Sequence, residues 1–340
     1  MKTSDFDYDL PPEYIAQIPI EPRDSARLLL LNRRTGRMEH SSFRQIGEYF
    51  HGNDLLILNE TRVIPARLYG WKIPGGGRVE ILLLRRADPF TWEAWGGGKG
   101  LRIGKRIQIE DGPQAEIVEV MNGPLRKVRF ETPIEPFFQK IGHVPLPPYI
   151  RSELRNQERY QTVYAQNLGS AAAPTAGLHF TPELLEDLQL AGVRLAYITL
   201  HVGLDTFAPV TEENPLDHKI HTEWCQVSAE VVDAIRKTRL DGGRVIAVGT
   251  TSVRTLESAT RQASPGELLA PISGPTDLFI LPGYRFSVVD AMVTNFHLPH
   301  STLLMLVSAF AGRERILAAY EEAKRLRYRF YSFGDAMLIL

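Results

Sequence analysis

The stretch RVIAVGTTSVRTLE, residues 244–257, decides the fold class of this 340-residue chain. Residues 245–248 form a short apolar run, which is typical of a strand buried on both faces of a parallel sheet. Gly249 ends that run, and Val253 and Leu256 then follow at helical spacing. The stretch therefore predicts a strand, a tight loop and a helix, as in an α/β fold.

Three hydroxyl side chains and one arginine lie where this helix begins, namely Thr250, Thr251, Ser252 and Arg254. Unpaired backbone N–H groups and the positive end of the helix dipole favour an anionic or polar ligand there. A cation in the first turn opposes the dipole, so helix stability alone would not select Arg254. Arg254 either contacts a ligand or pairs with Glu257, three residues further along.

Polar loops recur through the C-terminal half of the chain. Two more follow predicted strands, and another precedes a helix with Thr181 as N-cap. If the strands are parallel, these loops open on one edge of the sheet, where α/β proteins bind their substrates. The four loops are 171–181, 200–206, 249–254 and 294–301.

We expect the site residues to come from these loops. The catalytic candidates are His179, His201, Arg254 and His297. The expected substrate contacts are Thr175, Gly177, Gly203, Thr250, Thr251, Ser252, Asn295 and Ser301.

The hydrophobic periodicity changes to two between residues 63 and 151, where short alternating segments are separated by glycine-rich turns. This pattern predicts a small β-barrel. A proline-rich stretch at 144–150 marks its end. We predict an α/β domain with a mostly parallel sheet, built from 1–62 and 152–340 and interrupted by a β-barrel domain at 63–151. The charged segment 151–166 is predicted to be helical.

Composition limits the class of protein. The content of 44% hydrophobic and 23% charged residues is ordinary for a globular protein, and the single Cys225 excludes an internal disulfide. The acidic N-terminus is not a signal peptide, and no apolar run approaches the ~18 residues of a membrane helix. We expect a cytoplasmic monomer.

Positive charge is concentrated in the predicted barrel. The whole chain carries −1, whereas residues 63–151 contain fourteen Lys and Arg against nine Asp and Glu, a net +5. A basic module of this kind attracts polyanions. We expect RNA contacts from Lys99, Arg102, Lys105 and Arg106.

Two other classes of protein stay open on these residues. One is a non-catalytic RNA-binding module, supported by the basic barrel. The other is a metal-dependent hydrolase built on His218, His221 and Glu223, whose sparse spacing also suits a hydrogen-bonded loop. We expect no metal. Neither a Gly-x-Ser-x-Gly hydrolase elbow nor a dinucleotide-binding glycine motif is present.

Nine short motifs are spread along essentially the whole chain. They are NETRVIPAR (59–67), GHVPLPPY (142–149), YQTVY (160–164), AAPTAGLHF (172–180), HVG (201–203), GTTSVR (249–254), TNFHLP (294–299), YRF (328–330) and GDAM (334–337). Together they resemble the motifs of the S-adenosylmethionine:tRNA ribosyltransferase-isomerase family of queuosine synthesis. In one loop Asp205 stands where this family commonly has glycine.

The resemblance implies an α/β domain with an inserted barrel and a reaction between S-adenosylmethionine and tRNA. The ribosyl part of S-adenosylmethionine would pass to 7-aminomethyl-7-deazaguanine at the wobble position, giving epoxyqueuosine and releasing adenine and methionine. S-adenosylmethionine would be a consumed substrate, and no cofactor is expected.

The candidate residues suit this chemistry. A sulfonium acidifies the neighbouring ribose carbon, so a neutral histidine could remove a proton there, and any of the three histidines fits that role. Departing adenine calls for an acid or a cation, such as Arg254 or a histidine. The methionine carboxylate calls for N–H donors or an arginine at the start of the helix. We therefore expect Arg254→Ala to lower activity and leave the fold intact.

Overall fold

A computed structural model describes residues 1–154, 156–203, 206 and 209–340. The chain forms two compact units, one of Met1–Arg62 with Pro147–Leu340 and one of Val63–Leu146. The second boundary lies after Leu146, earlier than the predicted 151. Tyr149 belongs to the larger unit because its ring packs on Tyr331 at 4.8 Å between centroids and its hydroxyl lies 2.7 Å from Ser332 Oγ.

The strands of the described residues are β1 (Arg27–Leu31), β2 (Met38–Ser42), β3 (Leu55–Asn59), β4 (Thr61–Val63), β5 (Arg67–Ile73), β6 (Arg78–Arg86), β7 (Thr91–Gly97), β8 (Arg106–Ile109), β9 (Gln114–Val120), β10 (Leu125–Phe130), β11 (Asn167–Ser170), β12 (Arg194–His201), β13 (Glu223–Val227), β14 (Val245–Val248), β15 (Ile272–Thr276), β16 (Ala291–Asn295) and β17 (Ala336–Ile339). The α-helices of the same residues are α1 (Phe138–Ile141), α2 (Pro182–Leu190), α3 (Ala229–Leu240), α4 (Gly249–Ala259), α5 (Thr302–Ala311) and α6 (Arg313–Arg325).

Within the described part of the larger unit, nine strands form one mixed sheet in the order β15-β13-β12-β3-β14-β16-β17-β1-β2. Its centre is parallel, because β12 pairs with β3, β3 with β14 and β14 with β16 in the same direction. The predicted α/β class with a mostly parallel sheet is therefore confirmed. The loops after β12, β14 and β16 consequently open on the same edge of the sheet.

The sheet is covered on both faces, which explains its continuous apolar strands. Every residue of β3 and of β14 is buried. Along β3, Ile57 belongs to the hydrophobic cluster that includes Leu256 of α4, and its neighbours Leu56 and Leu58 belong to the cluster on the other face, with Leu184 of α2. The alternation of strand side chains thus supplies both cores.

The local signals for two helices next to the site are confirmed. Gly249 adopts φ +85°, a left-handed conformation that glycine accepts without strain, where β14 turns into α4. Thr181 caps α2, its side chain accepting a hydrogen bond from Leu184 N–H at 3.1 Å.

The smaller unit, all of whose residues are described, contains a closed antiparallel barrel in the order β10-β7-β6-β5-β8-β9. The inserted all-β barrel predicted from the period of two is therefore confirmed. Its interior is filled by alternating apolar residues such as Leu68, Val79, Ile81, Ile107, Ile117 and Val128, each at most 2% exposed.

The predicted helix at 151–166 is wrong. The described residues of this segment form a single 3₁₀ turn at Gln157–Tyr160. The other described residues form bends, a turn and irregular chain. At the end of the segment, the backbone N–H groups of Gln166 and Asn167 both donate to Glu60 O, at 2.8 and 3.2 Å. In the described part of the chain, no helix is long and apolar enough to span a membrane.

Candidate active site

The four polar loops meet at one cavity at the edge of the sheet formed by the ends of β12, β14 and β16. Its empty space is about 380 Å³, including the part open to solvent. The described lining residues are Ala173, Pro174, Thr175, Ala176, Val202, Thr206, Gly249, Thr250, Thr251, Thr294, Asn295, His297 and Leu303. Each predicted loop contributes at least two of them.

The start of α4 forms one wall of the cavity. The first N–H groups of an α-helix have no partner within the helix and carry its positive partial charge. Gly249, Thr250 and Thr251 line the cavity from this position. The Thr251 hydroxyl is buried and has no hydrogen-bond partner among the described residues. This wall therefore offers donors to a polar ligand.

Asn295, the last residue of β16, organises the opposite wall. Its side-chain N–H₂ donates to Tyr331 O at 3.2 Å and lies 3.3 Å from His179 Nε2. Its Oδ1 accepts from the Thr175 hydroxyl at 2.8 Å. Because the Thr175 hydroxyl donates its hydrogen bond to Asn295, its oxygen lone pairs are available to accept a hydrogen bond from a ligand.

His297 is held by its backbone and its ring. Its backbone N–H donates to Tyr320 Oη at 2.9 Å, and its carbonyl accepts from the Tyr8 hydroxyl. Its Nε2 lies 2.7 Å from Thr294 Oγ1. Burial lowers the pKa of His297 to about 3, so the ring is neutral at neutral pH.

His179 does not line this cavity, although its segment does. It lies in a neighbouring, smaller cavity with Arg23 and Arg159, and its ring packs on Phe43 at 4.9 Å between centroids. Burial lowers its pKa to about 4, partly offset by the charge of Asp335. His179 therefore acts on the four-loop cavity through Asn295, which connects the two.

His201 points away from the cavity. It stacks on Trp224 at 5.2 Å with an interplanar angle of 20°, and its Nδ1 lies 2.8 Å from Thr61 Oγ1. A Cβ at Gly169 would lie 2.6 Å from His201 Nε2, so the ring packs directly over that glycine. Burial lowers the pKa of His201. The four catalytic candidates thus do not converge on one point.

Arg254 is buried beside the cavity and paired, but not with Glu257. Its Nη1 donates to Glu223 Oε2, and its Nε donates to Leu278 O at 3.1 Å. Glu257 instead accepts from the N–H groups of the segment after Phe286 and from the Tyr284 hydroxyl. The pairing with Glu257 predicted as one alternative is therefore wrong, because a distant residue, Glu223, binds Arg254. Contact of Arg254 with a ligand stays a prediction.

The other expected contacts separate into two groups. Thr175, Thr250, Thr251 and Asn295 line the cavity, and Gly177, Gly203, Ser252 and Ser301 do not. Gly177 is required by packing, since a Cβ there would lie 2.1 Å from Tyr164 Oη. Ser252 donates to Val248 O within its helix, and Ser301 caps α5. Asp205, the departure from the family pattern, lies outside the described residues.

Two lining threonines and one carboxylate beside the cavity were missed. Thr206 and Thr294 lie in predicted loops, and Thr294 begins the TNFHLP motif, but no spacing distinguishes them from the other hydroxyls. Glu223 appeared only as a metal-ligand candidate. The alternation of Glu223, Cys225 and Val227 along β13, all buried, was the available signal, because a carboxylate on a buried face needs a cationic partner.

In the alternative metal site built on His218, His221 and Glu223, the carboxylate of Glu223 is already paired with Arg254. His218 Nδ1 lies 2.9 Å from Glu212 Oε2, away from Glu223. Among the described residues no group of three His, Cys, Asp or Glu side chains is placed to hold a metal ion.

The cationic side chains expected to contact RNA lie together on the barrel, between β7 and the start of β8. Lys99, Arg102 and Arg106 are exposed and Lys105 is half-buried. Two already have protein partners, because Lys105 Nζ donates to Pro74 O at 3.0 Å and Arg106 lies 3.5 Å from a Glu131 oxygen.

A sequence model of the family described as "Queuosine biosynthesis protein" matches residues 3–339. The chain is 53% identical, over all of both chains, to a protein of Acetivibrio thermocellus named S-adenosylmethionine:tRNA ribosyltransferase-isomerase. A Clostridioides difficile protein of the same name is 50% identical, also over all of both chains.

A solved structure is similar in sequence and fold. It is the crystal structure of S-adenosylmethionine tRNA ribosyltransferase from Thermotoga maritima, which is 42% identical. The match covers 99% of this chain and 100% of that one, with a TM-score of 0.59.

Proposed function

This chain belongs to the queuosine biosynthesis protein family, and we propose that it acts as an S-adenosylmethionine:tRNA ribosyltransferase-isomerase. In the proposed reaction, the ribosyl part of S-adenosylmethionine is transferred to 7-aminomethyl-7-deazaguanine at the wobble position of tRNA and is isomerised. Adenine and methionine leave, and epoxyqueuosine remains in the tRNA.

The observation that carries this proposal is the single cavity at which all four polar loops meet. Its described walls present hydroxyl, amide and imidazole groups, which suit the hydroxyls of a ribose and the ring nitrogens of adenine. The N-terminus of α4 adds unpaired N–H donors for an anionic or polar group. S-adenosylmethionine is accordingly assigned to this cavity.

His297 is the proposed proton acceptor. Among the described lining residues, His297 is the histidine. Burial keeps its imidazole neutral, which is the form that accepts a proton. A pKa of about 3 is below that of an efficient base at neutral pH. The reaction therefore depends on the sulfonium, which acidifies the ribose carbon from which His297 takes the proton.

Product analysis tests the proposed reaction. The purified chain, S-adenosylmethionine and tRNA carrying 7-aminomethyl-7-deazaguanine should release adenine and methionine in equal amounts, with epoxyqueuosine detected by mass spectrometry of the digested tRNA. His297→Asn should lower kcat at least about a hundredfold, the usual range for an acid–base group. His201→Asn is the matched control. Release of S-adenosylhomocysteine would identify a methyltransferase instead.

We propose that the basic patch of the barrel, defined as Lys99, Arg102, Lys105 and Arg106, helps bind the tRNA. Reversing all four to glutamate should weaken tRNA binding and flatten its dependence on salt, because fewer phosphate counterions are released. Since Lys105 and Arg106 have protein partners, reversing Lys99 and Arg102 alone should produce most of the loss. Unchanged affinity would move the tRNA elsewhere, for example to the basic run 324–329.

We further propose that the enzyme needs no metal and no other cofactor, and that it works as a monomer. Exhaustive chelation should leave turnover unchanged. Loss of turnover that zinc restores would contradict this proposal, and sedimentation at assay concentrations measures the oligomeric state.

A further inference from the structure

Glu223 connects two walls of the cavity without lining it. The side chain is 4% exposed and lies at the first position of β13. Its Oε1 accepts from Gly203 N–H at 2.8 Å and from the Thr206 hydroxyl at 3.1 Å, and its Oε2 accepts from Arg254 Nη1. One carboxylate thus joins the loop after β12 to helix α4.

The two partners of Glu223 lead directly into the cavity. Thr206 is itself a lining residue, and Arg254 lies in the helix whose first residues, Gly249 to Thr251, line the same cavity. Glu223 and Arg254 are absent from the described lining. Any effect of the carboxylate on a ligand therefore passes through Thr206 and α4.

A simple structural ion pair does not account for this arrangement. Arg254 is 7% exposed, and its Nη2 is buried with no partner among the described residues. A pair that served stability alone would be expected to satisfy both nitrogens, because an unpaired buried donor is costly. Glu223 instead divides its oxygens, giving one to Arg254 and the other to the loop.

We propose that Glu223 is a positioning residue of the active site, and that it holds Thr206 and the Gly203 amide at the cavity through a carboxylate neutralised by Arg254. The expected effect of Glu223 on activity rests on the proposed function. The structural consequence, fixed positions of the Gly203 amide and the Thr206 hydroxyl, is independent of the substrate.

Replacing Glu223 by glutamine tests its two interactions, one with Arg254 and one with Gly203 and Thr206. A carboxylate accepts hydrogen bonds at both oxygens, whereas an amide accepts at one and donates at the other. In Glu223→Gln, an amide that accepts from Arg254 presents N–H₂ to the Gly203 N–H, and the flipped amide presents N–H₂ to Arg254. One of the two connections is lost in either orientation.

The first test uses a double-mutant cycle on kcat/KM for S-adenosylmethionine. Glu223→Gln and Thr206→Val should each lower kcat/KM about tenfold or more, the loss expected for one charge-assisted hydrogen bond. The double variant should lose little beyond the worse single variant, because both act through one contact. Thr206→Ser, which keeps the hydroxyl, should stay within about threefold of the wild type.

Asp54→Asn is the matched control, because Asp54 is a fully buried carboxylate paired with Arg244 at the opposite edge of the same sheet. It should lower the melting temperature and leave kcat/KM per folded molecule unchanged. Fully additive losses in the cycle, or an equal activity loss in Asp54→Asn, would overturn the positioning role.

The second test is independent of activity. Hydrogen exchange should show the Gly203 amide protected in the wild type and exposed in Glu223→Ala, which removes both acceptor oxygens, with the amides of α4 protected in both. If the wild type fails to react with S-adenosylmethionine and tRNA, the proposed function fails, and this exchange result still decides the role of Glu223. If Glu223→Ala does not fold, Glu223→Leu, which is closer in shape to glutamate and also lacks both acceptors, should lose the protection of the Gly203 amide. Unchanged protection of Gly203 in whichever of these two variants folds contradicts the proposal.

Discussion

The two edges of the central sheet each hold a buried carboxylate paired with an arginine, and the hydrogen-bonding groups of the two pairs are satisfied to different degrees. At the edge where β3 and β14 begin, Asp54 accepts from Arg244 Nε and Nη2 and from two backbone N–H groups. At the edge where the loops meet, Glu223 and Arg254 share a single N–H···O contact, and Arg254 Nη2 has no described partner.

This difference indicates that the edge with the cavity binds a ligand and that the opposite edge stabilises the fold. Asp54 and Arg244 use their hydrogen-bonding capacity on the protein itself. At the cavity, the Thr251 hydroxyl and Arg254 Nη2 are buried with no partner among the described residues. Since unmade hydrogen bonds of buried groups are costly, these two unpartnered groups are consistent with a site that a ligand completes.

Arginine substitutions test this contrast most strongly. Arg254→Ala and Arg244→Ala each leave a buried carboxylate without its cation, and each should lower the free energy of unfolding by about 3–5 kcal/mol. Arg254→Ala should also lower kcat/KM about a hundredfold per folded molecule, because Thr206 and α4 lose their connection. Arg244→Ala should not. Urea unfolding and steady-state kinetics measure the two quantities.

The expectation that Arg254→Ala spares the fold is therefore revised. It assumed an arginine available to a ligand, and the structure buries that arginine against Glu223. Equal catalytic losses in the two arginine variants would remove the distinction between the edges.

Acid should destabilise the cavity region through its neutral histidines. Burial lowers the pKa of His179 to about 4 and of His297 to about 3, from 6.5. As pH falls below about 6.5, the unfolded chain gains protons that the folded one does not bind, so stability is lost down to the folded pKa values. Each histidine should cost about 2 kcal/mol at pH 5 relative to pH 7.

Urea unfolding at pH 7 and pH 5 checks this contribution. His297→Gln should reduce the difference between the two pH values by about 2 kcal/mol, whatever its effect at pH 7. His51→Gln, at the opposite edge, is the comparison variant. An identical pH dependence in His297→Gln and the wild type would contradict a buried neutral His297.

Thr251→Val gives the smallest expected change in stability. Valine has the shape of threonine without the hydroxyl, and that hydroxyl has no described protein partner. Stability should therefore change by less than about 0.5 kcal/mol or increase slightly. The KM for S-adenosylmethionine should rise about fivefold if the hydroxyl binds substrate. A clear loss of stability with an unchanged KM would assign Thr251 to the fold.

Much of the architecture was readable in the sequence because it rests on local periodicity. The apolar run of β14, the glycine after it and the helical spacing of Val253 and Leu256 predict one strand–loop–helix unit. The period of two between 63 and 151 predicts the barrel. The helix predicted at 151–166 is wrong, and the segment ends in a hydrogen bond from Gln166 N–H to Glu60 O, a contact with a distant part of the chain.

The sequence by itself determined that four polar loops meet at one edge of a sheet, because parallel neighbouring strands bring their carboxyl ends together. Only the tertiary structure decided which side chains face the cavity. His297 does, whereas His201 turns to Trp224, His179 lies behind Asn295, and Arg254 is bound by Glu223. Side-chain direction in irregular loops depends on distant partners, and neither periodicity nor spacing carries that information.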